Sequence, residues 1–447
     1  MIKKIVLAIV GIVLLAAVVI GTRYLLAYNG FLDKITSREP EMKKYSVIVL
    51  EDSEAKDVSD LADKNVGFLK TDTKAANAGQ KLSEVVKIDI DYYDDIDILT
   101  EALTNRITDA MVLEDDRLEI LKEEFDATEG VADATEGADV NNTRVIYSFE
   151  VELEGEDMEI SDKQITTESF ILYISGSDSR TGIQTTARSD VNILAVVNPK
   201  QSKILLVSIP RDTYVQLHDT VGLKDKLTHA GVYGINMSKT TIEDFLGINI
   251  DYTLKVGFDT VVEVVDQLDG IDIESDREMS LSAGGGEKCD FVEGKQHVNG
   301  ICALRFARER KTYETGDRHR GENQQQVIVG VISRLSSSKD YILKIPTVLD
   351  IVADSFETTI SRDNVSDFIR MQLLDGIKWK VDSVSVDGAG AYEPTYSMGA
   401  NRPLYVMIPY DDSVMTIKSK INEYLGNAVP VVTTEEEIVV ENAESSR

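Results

Sequence analysis

The sequence predicts a mixed α/β protein. It has an apolar N-terminal helix, a small acidic α/β unit, and a larger unit with a central sheet flanked by helices. Three observations carry that expectation. From Tyr45 onward, short β-branched runs alternate with stretches of helical spacing, and such a βαβα rhythm implies some parallel strand pairing. Of the 447 residues, 43% are hydrophobic, which supports real cores in two or three units. Two Cys and four His exclude a disulfide scaffold, a Cys-rich zinc array and a His-based metal cluster.

The first element is IVLAIVGIVLLAAVVI, Ile5 to Ile20, without one polar side chain. Extended to residue 22, it approaches the roughly 20 residues that span a bilayer. Lys3 and Lys4 in front of it favour a cytoplasmic N-terminus, with residues 1–4 as the inner tip. No small-x-small cleavage site follows, so the reading is an uncleaved signal anchor rather than a removed signal peptide. The expected localisation is the cell membrane, single-pass, with the bulk of the chain extracellular. Residues 23–44 read as a stalk. An oxidising location permits a disulfide between Cys289 and Cys302, the only pair available.

Residues 45–165 form the acidic α/β accessory domain. Its expected elements are strands at Tyr45–Leu50, Val66–Leu69, Val86–Tyr93, Asp109–Asp115 and Val145–Glu156, and helices at Ala75–Val86, Asp95–Arg106 and Arg117–Phe125. Residues 51–160 carry 32 Asp+Glu against 10 Lys+Arg, a net −22 within a chain total of −31. That balance argues against nucleic acid as a partner. The acidic runs read as solvated faces, because DYYDDID lacks the calcium-loop spacing. Ala127 to Asn142 reads as a flexible loop, and 429–447 as a disordered acidic tail.

Residues 166–428 form the second unit. Phe170–Ile174 is a strand entering a Gly-containing loop. Val191–Pro199 and Lys203–Asp212 read as a hairpin across NPKQSK. Antiparallel pairing there sets Asp190 and Arg211 at one end of the sheet, facing one pocket. Helices follow at Ser238–Leu246, with Asn236 or Ser238 as the cap, and at DTVVEVVDQLDG, ended by Gly270. His229 and Trp379 read as structural, and Asp212 stays open between a turn and a site role. Residues 295–320 gather Lys295, Arg305, Arg308, Arg310, Lys311, Arg318 and Arg320 in a very acidic protein. Arginine forks match phosphate oxygens two at a time. Neighbouring carboxylates can hold Mg²⁺, and phosphoryl transfer needs little beyond positioning and charge neutralisation. A salt-bridge network tying a loop to a helix is the plainer reading of the same residues. No Walker loop, H-E-x-x-H pair or G-x-S-x-G elbow is present.

The ordered motifs GSDSR, RSD, SIPRDTYV, DKLTHA, DQLDGIDI, LRFARERK and GDRHRGENQQQVI resemble the LytR-CpsA-Psr family across about Glu168 to Leu425. The resemblance implies a membrane-anchored glycopolymer transferase of mostly Gram-positive envelopes. A teichoic acid or capsule-like glycan on undecaprenyl pyrophosphate would pass, with one phosphate, to peptidoglycan. By motif, Asp178 and Asp190 resemble the family's metal or catalytic carboxylates, with Mg²⁺ (or Mn²⁺) as cofactor. Arg188, Arg211, Arg308 and Arg310 resemble its pyrophosphate clamp, and Lys226, Arg320 and Gln324 further pocket residues. Asp178, Asp190, Arg211 and Arg308 are the implied catalytic set. Asn323 departs from the Arg that many relatives carry before the Gln. Two alternatives stay open: a non-catalytic polyprenyl-pyrophosphate-binding regulator, and a lipid-pyrophosphate hydrolase. The acidic front, outside that resemblance, is itself similar to extracellular solute-binding domains in DLADKNVGFLKTD and DILTEALTNRITDAMVLED. It is expected to bind a ligand or envelope-synthesis proteins, or to act as a spacer.

Overall fold

Two mixed β-sheets organise the residues that the computed structural model describes: 42–72, 74–128, 142–152, 161–177, 187–282, 288–313, 316–338, 340–341 and 356–427. The anchor at 5–22, its inner tip, most of the stalk, the loop core at 129–141, Asp178 and the tail at 429–447 lie outside the described residues. Among the described residues, no helix is long and apolar enough to cross a membrane.

The first sheet holds β1 (Met42–Leu50), β2 (Asn65–Leu69), β3 (Asp89–Tyr93), β4 (Ala110–Glu114) and β5 (Thr143–Glu152), in the order β3-β2-β4-β1-β5. β2 runs parallel to both β3 and β4, while β1 is antiparallel to β4 and β5. Helices α1 (Ala75–Val85), α2 (Ile96–Thr104) and α3 (Asp115–Thr128) connect them. Asp95 caps α2 by accepting from the Ile98 amide at 2.9 Å, satisfying a donor the helix start leaves open. β1 starts at Met42, so Lys43 and Lys44 belong to a strand rather than to the stalk.

The second sheet is built on β6 (Phe170–Ser177), β7 (Val191–Asn198) and β8 (Lys203–Ser208). β7 and β8 form the expected antiparallel hairpin, with Ile193 opposite Ser208. Two short strands follow, β9 (Tyr214–Val215) and β10 (Asp225–Lys226), paired with each other. β11 (Tyr252–Gly257) pairs parallel with β6. β12 (Ile271–Ser275) pairs with β15 (Gly294–Val298), and β13 (Met279–Leu281) with β14 (Cys289–Phe291). β16 (Phe356–Thr358) and β17 (Lys380–Ser385) close the edges, giving the order β16-β11-β6-β7-β8-β17. A ribbon of β18 (Gly388–Thr395) and β19 (Gly399–Pro409) completes the strands.

Both faces of the second sheet are apolar because its strands carry hydrophobic residues at successive positions, which point to opposite sides. Ile171, Leu194 and Leu205 pack on one side against the helices Ile235–Leu246 and Asp411–Leu425. Phe170, Ile193 and Leu206 pack on the other, with Ile328, Val329 and Ile332 of the helix Asp317–Ser337 against them. The helix Ile235–Leu246 begins earlier than its polar residues predict. Gly234, at φ 103°, sets its start and no side chain caps it, so Ser238 lies buried within the helix.

The first sheet and the second unit share one apolar cluster. Ile48 and Met111 of the first sheet and Leu99 and Leu103 of α2 pack together with Val232, Met398 and Leu404. These seven side chains are at most 3% exposed, and burying each contributes about 1.5–3 kcal/mol.

Candidate active site

The hairpin register puts the residue before β7 beside the residues after β8. Arg211 Nη1 donates to Asp190 Oδ1 at 2.9 Å. Backbone bonds hold the two segments in place. The Thr228 amide donates to the Arg211 carbonyl at 2.9 Å, and the Ser189 amide to the Thr228 carbonyl at 3.1 Å. Beneath Asp190 lies a buried polar shelf. The Tyr173 hydroxyl lies 3.0 Å from Ser189 Oγ and donates to Asn192 Oδ1 at 2.7 Å, and Ser175 Oγ is 2.8 Å from Ser189 Oγ. Such a network, once satisfied, fixes the local backbone. At Gly231 a Cβ would collide with the Ala187 carbonyl and Ser189 amide, so glycine lets the 225–234 segment lie against the strand that presents Asp190.

The helix Asp317–Ser337 delivers the next groups. Gly321 sits against Ser208 at the end of β8, where a Cβ would meet the serine hydroxyl. The close approach brings the first turn of the helix to the site. Arg320 Nη2 donates to the Asp190 carbonyl at 3.2 Å and pairs with Asp317 at 2.9 Å. Asp317 Oδ1 lies 3.6 Å from Arg211 Nε, Asp212 Oδ2 lies 3.8 Å from the same nitrogen, and Asp212 Oδ1 lies 3.5 Å from Lys226 Nζ. Three carboxylates thus interleave with three cations. Two of these buried atoms, Arg211 Nε and Asp317 Oδ1, make no hydrogen bond.

This packing separates the carboxyl groups. Burial pushes Asp190 up, yet the Arg211 and Arg320 charges outweigh it and hold the carboxyl below the usual range. Burial pushes Asp317 up and prevails, with the Asp212 charge adding to it against Arg320 and Arg211. Burial would lower the Arg211 guanidinium, but Asp190, Asp212 and Asp317 raise it. One carboxylate kept ionised beside one that holds a proton more readily is the arrangement acid–base chemistry uses.

Of the residues singled out from sequence, Asp190, Arg211, Arg320 and Lys226 converge. Arg188 joins them electrostatically, since its charge acts on Asp190. Gln324 is buried one helical turn beyond Arg320. Arg308 ends the helix Gly300–Arg308 and is exposed, as is Arg310 in the following turn. Asn323, the departure from the family pattern, donates to the Phe306 carbonyl at 3.0 Å and ties the two helices together. His229 is structural: its Nδ1 lies 2.6 Å from Asp225 Oδ1 and 2.8 Å from Ser397 Oγ. Asp317 is the addition, and Asp212, left open between a turn and a site role, joins the cluster. Asp317 has a signal in the sequence, an i,i+3 pairing with Arg320 on a helix. Cys289 and Cys302 are joined by a disulfide, with Cα atoms 5.5 Å apart, linking β14 to the helix that carries Arg308. Among the described residues, no group of three or more His, Cys, Asp or Glu is arranged to hold a metal.

Three kinds of comparison bear on this site. The LytR_cpsA_psr family model matches residues 135–408. The polyisoprenyl-teichoic acid–peptidoglycan teichoic acid transferase TagV of Bacillus subtilis is 31% identical over 244 residues, 53% of this chain and 60% of TagV. The TagU protein of the same description from Halalkalibacterium halodurans is 30% identical over 258 residues, 57% of this chain and 79% of that protein. The match therefore spans less than two-thirds of the length of TagV and more than two-thirds of that TagU. A solved Streptococcus agalactiae protein shares the fold, with TM-score 0.51 and 23% identity over 60% of this chain and 92% of its own. With more than half its length matched by the family model, and with the Asp190–Arg211 pair in place, the chain belongs to the LytR_cpsA_psr family.

Proposed function

We propose that the chain is an extracytoplasmic phosphotransferase. It would move a glycopolymer, teichoic acid or capsule-like, with one phosphate from undecaprenyl pyrophosphate to a hydroxyl of peptidoglycan. The observation that carries this is the interleaved cluster of Asp190, Arg211, Asp212, Lys226, Asp317 and Arg320 at the ends of β7 and β8. Arginine and lysine would bind the pyrophosphate oxygens and stabilise the charge that shifts during transfer. The acceptor oxygen would form a bond to the glycan-side phosphorus, the bridging P–O bond would break, and undecaprenyl phosphate would leave. A carboxylate, Asp190 or Asp178, would take the acceptor's proton.

Mg²⁺ (or Mn²⁺) belongs to the proposal. Asp190 offers hard oxygen, which supports that reading, because Mg²⁺ is commonly held by one or two carboxylates plus substrate phosphates. Asp190 and Asp178 would hold it, and the ion would neutralise phosphate charge. The polyprenyl chain would lie along the apolar side of the second sheet, where Ile328, Val329 and Ile332 are only partly buried. The chain would reach its substrates from the membrane through the apolar N-terminal segment, with the first sheet outside as a site for envelope-synthesis proteins.

The test supplies a polyprenyl-pyrophosphate glycan, peptidoglycan and Mg²⁺ to the full chain and follows the glycan. Attachment that survives both Asp190→Ala and Arg308→Ala overturns the site. Free glycan phosphate without attachment marks a hydrolase, and tight binding without turnover marks a regulator.

A further inference from the structure

A second charged cluster lies where the first sheet meets the second unit, and its core is almost wholly buried. Lys43, Glu114 and Arg117 have side chains 2% exposed. Arg117 Nε pairs with Glu114 Oε2 at 2.9 Å, Lys43 pairs with Glu114 and with Asp72, and the Tyr45 hydroxyl donates to Asp72 at 2.8 Å. Two cations and two anions balance. Glu114 and Asp72 lie at or just past the C-terminal ends of the parallel strands β4 and β2, where the chain order reverses. In open α/β sheets that crevice is the usual ligand site. Here the second unit fills it. Arg117 Nη2 donates to the Tyr233 hydroxyl at 2.7 Å and Nη1 to the Ser397 carbonyl at 3.4 Å.

The contacts continue beyond Ser397 without a break. The Ser397 amide donates to Asp225 Oδ2 at 2.8 Å, and the Lys226 amide donates to Asp225 Oδ1 at 2.8 Å. Lys226 Nζ then faces Asp212, which faces Arg211. We propose that Arg117 is a positioning residue for the phosphate site: by holding Ser397 and Tyr233 it fixes Asp225 and so the placement of Lys226, making the first sheet part of the site rather than a spacer. The proposal rests on the reading of Lys226 as a phosphate-binding group.

Inorganic pyrophosphate, titrated into the full chain, is the probe. Lys226→Ala is expected to weaken its binding about tenfold. Arg117→Met is expected to weaken it to a similar extent, and to add nothing further in the Lys226→Ala background, because coupled residues are non-additive. Arg117→Lys should recover part of the loss. Tyr233→Phe, which keeps the ring and removes one acceptor, should show a smaller loss of the same non-additive kind and serves if Arg117→Met does not fold. Wild-type affinity in folded Arg117→Met, or losses that simply multiply in the double variant, overturns the positioning role. Wild-type affinity in Lys226→Ala instead overturns the phosphate reading of the site, and the proposal with it.

Discussion

The two charged clusters use the same residue types and reach opposite ends. At the junction, Lys43, Glu114 and Arg117 are 2% exposed. At the proposed site, Asp190 is 15%, Asp317 18% and Arg211 19% exposed. The first is sealed by Tyr233 and Ser397. The second remains partly reachable. Buried charge is tolerated when partners surround it, and only a cluster that keeps some side-chain exposure can meet an anion from solvent.

Breaking the sealed cluster should have the largest effect. Glu114→Gln leaves two buried cations short of their common partner and is expected to cost about 3–5 kcal/mol, read in a denaturant melt. The same residue sets an acid limit. Burial pushes Glu114 up, but Arg117 and Lys43 outweigh it and hold it at about 2. Its contribution is full above the unfolded value of about 4.3 and is lost as pH falls from there towards about 2. Asp72 is raised by burial and by Glu114, so it does not add to that loss. Wild-type stability should fall across this window and that of Glu114→Gln should fall less. Equal slopes would show that the cluster does not hold the junction.

The open cluster should fail in function before it fails in stability. Arg211→Ala removes the group shared by Asp190, Asp212 and Asp317, and transfer is expected to drop about 10²–10³-fold with a smaller change in melting. Arg308→Ala at its exposed helix end should fall short of that. Equal losses would move the centre of the site towards Arg308. The smallest of these effects belongs to the disulfide. Cys289 and Cys302 close a loop of sequence separation 13, so Cys289→Ser should cost about 2–4 kcal/mol, less than Glu114→Gln in the same melt.

The sequence made the second cluster half legible. Apolar runs on either side of NPKQSK define a hairpin, and a hairpin register alone brings Asp190 to Arg211. Arg320 and Lys226 came from motif resemblance. Arg308 and Arg310 also came from motif resemblance; they are near Arg320 in sequence, and the end of their helix leaves them exposed. The first cluster was not legible. Lys43 follows an apolar run and a polar linker, so it reads as stalk. The partners that make it a strand residue, Asp72 and Glu114, come from β2 and β4, and only the folded sheet assembles them.

The shared apolar cluster also sets a schedule. Synthesis runs from the N-terminus, so the first sheet is complete when Thr143–Glu152 has been made. Val232, Met398 and Leu404, which complete the cover over its Ile48–Met111 face, are made later. Until then only side chains of α2 and α3, among them Leu99, Leu103, Leu118 and Leu121, cover that face, and transiently exposed apolar surface is where aggregation begins. The high acidity of residues 51–160, a net −22, adds like-charge repulsion between copies in that interval.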